Sequence, residues 1–517
     1  MFAVEQIPFT TPTLDLHALA PEIVLVGAIV VLILVDLFTD ELSKRITSAI
    51  AGLGLIAALI PVLTLAATDE SRSMFGGAYV VDRYSVILKA LFLVSGYVVV
   101  LMSTHYIGEG DYWEGEYYTL ILASVLGMMM MGSSRDMVTI FISLELLSIP
   151  AYMLAAWRKR DLNSGEAGMK YYLMGVFATA IMLYGISLLY GFAGTTLLSG
   201  IATAIDTGKA QSGVSLAIVF VLVGFAFKIS AVPFHTWAPD TYQGAPTPVT
   251  AFLAVASKAA GFVALINLVF LAFPGQGTVV RAMLVPLAAI TMTVGNLIAL
   301  RQTNVIRMLA FSGVAQAGYM LVPLAVADLL PADRADNAMR ALLVYLVIYA
   351  AMNLGAFAVV ISVARRTGSA EIESMRGMFQ WAPGMMMALS IFLGGFAGIP
   401  PAGGWFGKFV IFKTAMDAGP RVGYFLAGLI AVNSVIAAFY YVRIIWTMVS
   451  HSPDDIAHQP LRTPAALRAA VLITSVVVIL TGIAPSLVSR ITDTAVIVPT
   501  PSALPVVAPV TTIAPPP

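Results

Sequence analysis

The chain consists of long apolar runs that follow one another with only short polar breaks between them. A helix needs roughly 20 apolar residues to cross the hydrocarbon core of a bilayer, and most of these runs reach that length. Because 59% of the 517 residues are hydrophobic and only 11% are charged, a water-soluble fold would expose large apolar patches. The pattern therefore predicts an all-α polytopic membrane protein.

We expect about fourteen transmembrane helices, one for each run. The predicted spans are 18–37, 46–66, 80–103, 117–132, 136–156, 166–190, 213–233, 247–272, 277–299, 304–325, 338–364, 384–416, 421–448 and 466–490. Alternate loops fall on one side of the membrane, and one set of loops holds the basic clusters 158–160 and 365–366. The positive-inside rule places that set in the cytoplasm, so both termini are predicted to lie outside.

Composition also excludes several function classes. The 28 basic and 28 acidic residues give no net charge, which removes the electrostatic basis for binding nucleic acid. The absence of cysteine excludes iron–sulfur clusters and thiolate metal sites, and the five histidines lack paired ligand spacing. No glycine-rich phosphate loop is present. We therefore expect no metal and no cofactor in this chain.

Two short similarities indicate an internal repeat. Ala-Tyr-Met-Leu at 151–154 aligns with Gly-Tyr-Met-Leu at 318–321, which places Ser312 opposite Glu145. The segments 224–237 and 395–408 both begin Gly-Phe-Ala and continue into a proline- or glycine-rich break. Broken helices at corresponding places in two halves indicate an ion-translocating site, and helix parity makes the repeats inverted.

This repeat divides the chain into five parts. They are helices 1–4 over 1–135, with helix 4 beginning the first repeat; a first inverted repeat of five helices over 117–272; a second over 277–448; a last transmembrane helix over 466–490; and a proline-rich tail over 498–517. Each repeat is predicted to contain one broken helix. We expect the tail to be extended or disordered.

Four charged residues lie inside apolar runs, namely Glu145, Lys228, Lys258 and Lys408. A charge at the centre of a membrane helix costs about 2.5–3.5 kcal/mol on insertion scales, so each needs a reason. Lysine suits proton transfer because burial favours the neutral amine, whereas a nearby carboxylate favours the ammonium. A single buried lysine can also be a structural ion-pair partner, and the residues alone leave both interpretations open for Glu145.

The segment 228–251 breaks a helix with four prolines at membrane depth. Irregular backbone is tolerated there only inside protein or beside a water-filled cavity, so the segment should line the interior. His235 follows Pro233 in this segment and has a side chain suited to relaying protons. Capping of the broken helix is an equally good explanation of His235.

The run KISAVPFHTWAPDTYQGAPTPVTAF at 228–252 resembles the signature of the antiporter-like subunits of respiratory complex I, and Asp-Thr-Tyr-Gln-Gly-Ala-Pro-Thr at 240–247 is similar to their N-type members. The resemblance covers nearly the whole chain, and Lys408 stands where M-type members usually have glutamate. It implies a proton-translocating subunit in the membrane arm of NADH:quinone oxidoreductase, located in the cell inner (plasma) membrane. Its implied partners are the other membrane-arm subunits and the lipid bilayer, with quinone bound elsewhere in the complex.

The resemblance also implies roles for the interior residues. Glu145 and Lys228 would form the coupling pair of the inner half-channel, Lys258 would be the connecting residue reached through His235, and Lys408 would gate the outer half-channel. Two alternatives remain: a subunit of a multisubunit cation/proton antiporter with the same fold, and a passive scaffold. The form of the 235–247 motif speaks against the antiporter, and retention of the four interior charges speaks against the scaffold.

Overall fold

The computed structural model describes residues 14–38, 43–68, 70–109, 114–206, 211–331, 334–450 and 462–498. Over these ranges the chain is helical apart from connecting segments and one two-stranded antiparallel sheet. The predicted proline-rich tail begins at Val498, the last described residue, so the prediction made for the tail lies outside the described residues.

The helices follow one another along the chain as α1 Ala20–Phe38, α2 Ser43–Ala66, α3 Arg83–Gly108, α4 Glu114–Ser133, α5 Met137–Ala155, α6 Leu162–Ala193, α7 Leu198–Asp206, α8 Gln211–Lys228, α9 Trp237–Gly244, α10 Thr247–Phe252, α11 Lys258–Asn267, α12 Gly277–Ala299, α13 Val305–Ala325, α14 Asp336–Thr367, α15 Met378–Trp381, α16 Pro383–Ala397, α17 Gly404–Asp417, α18 Val422–Val449, α19 Ala465–Ile483 and α20 Ser486–Asp493. Strands β1 Arg72–Met74 and β2 Tyr79–Val81 pair between α2 and α3. Two π-helical segments, Leu253–Ser257 and Leu268–Ala272, flank α11.

Eleven of the described helical stretches are long and apolar enough to cross a membrane. Their outer faces expose large hydrophobic side chains, among them Phe177, Phe439 and Trp446. Such faces are stable only against lipid or another apolar surface. The predicted all-α, multi-pass membrane architecture is confirmed.

Three predicted spans are not among those eleven. The span at 117–132 corresponds to α4, which is continuous. The spans at 213–233 and 384–416 are the broken helices: α8 ends at Lys228, before the predicted limit, and the second run is divided into α16 and α17. Both breaks pass through a residue with positive φ, Ser230 at 61° and Gly398 at 88°, a conformation that cannot continue a right-handed helix.

The centre of the bundle is formed by α10, α11, α13 and α14. The membrane-length windows at Thr247–Ala272 and Val305–Leu329 are fully buried within the chain, whereas only 22% of the α1 window is buried. The stretch that carries Lys258 therefore has no face left for lipid. Any charge on it must be stabilised by protein groups or by internal water.

The two halves repeat the same local hydrogen bonds at one constant sequence separation. Asp136 caps α5 by accepting from Val138 N at 2.8 Å, and Asn304 caps α13 by accepting from Ile306 N at 3.0 Å. After the breaks, Ala231 N donates to Ala226 O and Ile399 N donates to Gly394 O, both at 2.8 Å. The division into repeats over 117–272 and 277–448 stays a prediction, which these bonds support.

The repeated bonds change the alignment of the interior charges. With Asp136 placed on Asn304, Glu145 aligns with Gly313 rather than with Ser312. On the same spacing Lys228 aligns with Phe396, and Lys408 aligns with Asp240. The helix caps and the breaks define this register better than the Tyr-Met-Leu identity, because they are equivalent in backbone geometry.

Candidate functional site

Lys228 is the last residue of α8 and is 3% exposed. Its Nζ donates to Ser148 Oγ on α5 at 2.8 Å and to Tyr171 OH on α6 at 3.3 Å. The backbone turns away at Ser230, and Val232 N then donates to Thr291 Oγ1 on α12 at 2.9 Å. The break thus holds the amine against two neutral hydroxyl groups.

Glu145 lies one turn before Ser148 on α5 and is only partly buried. Its Oε1 is buried and has no hydrogen-bond partner among the described residues. Lys228 is the charged residue that interacts electrostatically with this carboxylate. The two side chains nevertheless form no direct ion pair in the described part of the chain. Ser148 and the gap beside it therefore separate the predicted pair, and a small movement or a water molecule would join them.

Lys258 begins α11 at the point where the π-helix Leu253–Ser257 ends, and it is 1% exposed. Its Nζ donates to the Gly313 carbonyl oxygen on α13 at 2.8 Å. Tyr349 OH, from α14, donates to Ala254 O in the π-helix at 3.1 Å. Departures from α-helical hydrogen bonding of this kind are frequent at functional sites.

His235 lies in the connection between α8 and α9 and is partly buried. Its Nδ1 is buried with no hydrogen-bond partner among the described residues, and its ring faces Phe311 at a centroid distance of 6.4 Å. The described residues show no hydrogen bond between His235 and Lys258. A route through His235 would need water or a change of rotamer.

Lys408 lies in α17, after the second break, and is 7% exposed. Its Nζ sits 4.8 Å from the centre of the Tyr319 ring and donates weakly to Ser434 Oγ at 3.4 Å. Within the described ranges no carboxylate forms an ion pair with it. Its Nζ also donates to the Ala397 carbonyl oxygen at 3.5 Å. The aromatic face, the hydroxyl and this carbonyl are what stabilise a positive charge there.

A chain of neutral polar groups lies between Lys258 and Lys408. Ser312 Oγ and Tyr441 OH are 2.5 Å apart, and Gln316 Nε2 donates to Tyr441 OH at 3.3 Å. Tyr345 OH donates to Gln316 Oε1, and the Tyr345 ring lies against Gly407, the neighbour of Lys408. This chain of polar groups was not predicted from the sequence, because a glutamine or a tyrosine in an apolar run gives a much weaker signal than a charge.

Two buried ion pairs were also missed. Lys89 Nζ lies 2.9 Å from Glu22 Oε1, and Arg135 lies 2.7 Å from Asp82. Both cationic side chains are fully buried. Lys89 is a lone lysine in an apolar run, as Lys228 is. The criterion that identified Lys228 could therefore have identified Lys89 as well.

The contacts of Asp240 were not predicted from the sequence either. On α9 it accepts from Lys170 of α6 at 2.7 Å and from Arg307 of α13 at 2.8 Å. The carboxylate therefore joins α9, which follows the break in the first half, to α6 of the same half and to α13 of the second half. Asp240 lies inside the motif at 228–252, but nothing in the sequence indicates which basic residues reach it.

The chain is similar to known proteins over most of its length. The family described as "NADH:quinone oxidoreductase/Mrp antiporter, TM" matches residues 134–437. The chain is 36% identical over 488 residues to NADH-quinone oxidoreductase subunit N of Trichlorobacter lovleyi, covering 94% of this chain and 97% of that one. It is 39% identical over 453 residues to NAD(P)H-quinone oxidoreductase subunit 2 of Synechococcus elongatus, covering 87% and 84%.

Solved structures agree with these relatives. A chain of respiratory complex I from Thermus thermophilus matches with a TM-score of 0.75 at 31% identity, over 91% of this chain and 98% of that one. A chain of the Mrp complex from Dietzia sp. matches with a TM-score of 0.80 at 19% identity, over 93% and 97%, which shows a shared fold. This protein therefore belongs to the NADH:quinone oxidoreductase/Mrp antiporter transmembrane family.

Proposed function

We propose that this chain is a proton-translocating membrane-arm subunit of an NADH:quinone oxidoreductase, driven by quinone reduction elsewhere in the complex. The observation that carries the proposal is the set of three buried lysines, none of which has a carboxylate partner in direct contact among the described residues. Burying an unpaired charge is costly, so a lysine in such a place is stable when it can release its proton. In a permanent structural ion pair, such as that of Lys89 and Glu22, the lysine is in direct contact with a carboxylate.

The proposed path runs through the three lysines in order. Glu145 and Lys228 form the inner half-channel, with Ser148 between them; Lys258 connects the halves, with His235 on its approach; and Lys408 gates the outer half-channel. The hydroxyl and amide groups of Ser312, Gln316, Tyr345 and Tyr441 lie between the last two lysines. Water must complete the path, because these neutral groups do not form one continuous chain from Lys258 to Lys408.

The chain is a multi-pass protein of the bacterial inner membrane, with both termini outside and the basic clusters at 158–160 and 365–366 in the cytoplasm. Its partners are the other membrane-arm subunits, and no redox cofactor is held by the chain itself, as the lack of cysteine supports.

A cation/proton antiporter subunit is the second candidate, because the family description and the fold include the Mrp antiporters. Affinity purification of the tagged full chain from its native membranes separates the two. Co-purification with NADH-oxidising activity and quinone-dependent acidification of inverted vesicles supports the oxidoreductase. Co-purification with small antiporter subunits, together with sodium-driven proton exchange that NADH does not energise, supports the antiporter.

A further inference from the structure

Three buried tyrosines lie close to Lys228, to Lys258 and to one another. Tyr171 belongs to α6, Tyr242 to α9 and Tyr349 to α14. Tyr171 and Tyr242 are 0% exposed and Tyr349 is 1% exposed, so their hydroxyl groups face only the interior of the protein. A phenol can accept one hydrogen bond while it donates another, which is the property that a group passing a proton along needs.

The first tyrosine is in direct contact with Lys228. Lys228 Nζ donates to Tyr171 OH at 3.3 Å. Trp237 stacks on the Tyr171 ring, with centroids 4.4 Å apart and an angle of 13° between the planes, and its Nε1 donates to Phe227 O at 3.2 Å. Trp237 therefore holds the phenol and the residue before Lys228 in fixed relative positions. Because the phenol oxygen accepts from Lys228, its own O–H is left to donate to another group.

The third tyrosine lies beside Lys258. A Cβ on Gly313 would lie 3.3 Å from Lys258 Nζ and 3.2 Å from Tyr349 OH, so both polar groups flank the same point of α13. Tyr349 OH donates to Ala254 O at 3.1 Å, which leaves its oxygen able to accept. Asn353, one turn further along α14, is a polar neighbour of this hydroxyl. Its Oδ1 is buried without a hydrogen-bond partner among the described residues.

Tyr242 is the tyrosine between these two. Its hydroxyl is buried and has no hydrogen-bond partner within the part of the chain that the structure describes. Tyr171 and Tyr349 are the phenols that interact electrostatically with it, and its ring meets Trp237 edge-on at 6.1 Å between centroids. A buried hydroxyl without a partner is costly, and native proteins satisfy such groups with ordered water. The hydroxyl therefore indicates a water site between the first and the third tyrosine.

We propose that Tyr171, Tyr242 and Tyr349 hold internal water that carries protons from Lys228 to Lys258, an inference that rests on the proposed function and names the groups joining its first two lysines. The Lys228 ammonium gives one proton to the Tyr171 oxygen while the original phenol proton moves to the water at Tyr242. That water passes a proton on, through water at Tyr349, to the neutral amine of Lys258. Each phenol and each water ends with the protons it began with, so no tyrosinate forms and one proton has moved between the lysines.

Water is needed because the described residues show no hydrogen bond between any two of the three phenols. The site offers water several polar partners, namely the phenol oxygens, Asn353 Oδ1 and Ser257, which is a polar neighbour of the Tyr171 hydroxyl. A buried water makes about three hydrogen bonds, so these groups suffice to hold it. The route does not pass through His235.

The test removes one hydroxyl at a time from the intact complex reconstituted in vesicles. Tyr242→Phe deletes the oxygen and keeps the ring that packs on Trp237. We expect normal assembly and normal NADH oxidation in the presence of an uncoupler, with NADH-driven proton pumping slower by about tenfold, the scale of one hydrogen bond lost from a transfer chain. Tyr349→Phe tests the Lys258 end independently, with the same expectation. A cryo-EM map that resolves water should show density at the Tyr242 hydroxyl in the wild type and lose it in Tyr242→Phe.

Tyr118→Phe is the matched control. Tyr118 is also a buried tyrosine whose hydroxyl has no hydrogen-bond partner among the described residues, but it lies near the start of α4 against Tyr117. Its variant should pump at the wild-type rate. The bridge is overturned if Tyr242→Phe and Tyr349→Phe pump normally while Lys258→Met does not, if Tyr118→Phe slows pumping as much, or if no water lies at Tyr242 in the wild type. Normal pumping by Lys258→Met as well would overturn the proposed function itself.

Discussion

Lys258 and Gly313 meet at the centre of the bundle, where Lys258 Nζ donates to the Gly313 carbonyl oxygen at 2.8 Å. The contact is close because glycine has no side chain: a Cβ on residue 313 would lie 3.3 Å from Lys258 Nζ and 3.2 Å from Tyr349 OH. On the register of the two repeats, Gly313 stands where the first half has Glu145. The second half thus offers a backbone carbonyl to the connecting lysine in place of a carboxylate.

Replacing Gly313 with alanine should disturb this contact without unfolding the chain. The added methyl group pushes on two polar groups, at a cost of about 1–3 kcal/mol as for other overpacked sites. We expect severalfold slower NADH-driven proton pumping in reconstituted vesicles, with normal assembly. Gly428→Ala is the control, since a Cβ there meets no atom within 4 Å; equal effects in both variants would contradict a specific role for Gly313.

Ser148→Ala should impair the inner half-channel, because Ser148 Oγ accepts from Lys228 Nζ at 2.8 Å. A hydrogen bond to a charged group contributes about 1.5–3 kcal/mol, so its loss disfavours the charged lysine. Proton pumping per NADH oxidised should fall. Ser362→Ala removes a buried serine that, among the described residues, bonds only within its own helix, and it should pump normally. Normal pumping by Ser148→Ala would exclude this serine from the path.

Lys408→Met should slow proton release by roughly 10²-fold or more, the contribution expected of a positioned proton-transfer group. Methionine keeps the length of the side chain and avoids a cavity beside Tyr319. The exposed Lys413 lies on the same helix, and Lys413→Met should leave pumping unchanged. If Lys408→Met lowers only the amount of assembled complex, Lys408 has a structural role.

Breaking the ion pair of Lys89 and Glu22 should lower the stability of the folded chain. Removing one partner of a buried pair costs about 3–5 kcal/mol, because the other charge is left buried. Lys89→Met should therefore lower the unfolding temperature of the detergent-solubilised protein, and the double variant with Glu22→Gln should recover much of the loss. Arg365→Ala breaks an exposed pair with Glu109 and should cost less than about 1 kcal/mol. A loss in Lys89→Met no larger than that would show the buried pair to be dispensable.

The sequence predicted the architecture well because the need to cross a bilayer fixes the length and polarity of each run. The four interior charges were visible for the same reason. The partners of those charges were not visible: Ser148, Gly313 and Ser434 are ordinary residues whose importance depends on which helices touch. The exact ends of the broken helices also depended on tertiary contacts, such as Thr291 accepting from Val232 N.

The alignment of the two repeats is a second feature that could not be predicted from the sequence alone. The Tyr-Met-Leu identity placed Ser312 opposite Glu145, whereas the caps at Asp136 and Asn304 place Gly313 there. Short identities in apolar helices arise easily, since such helices use few residue types. Backbone hydrogen bonds at helix ends are more selective, and they became available only with the structure.

The most direct measurement is the number of protons moved per NADH oxidised by the reconstituted complex carrying Lys258→Met, compared with the wild type and with Lys413→Met. If Lys258 connects the two half-channels, its variant assembles and oxidises NADH in the presence of an uncoupler, yet moves fewer protons per NADH. An unchanged ratio at an unchanged rate of coupled oxidation would contradict a proton path through the buried lysines.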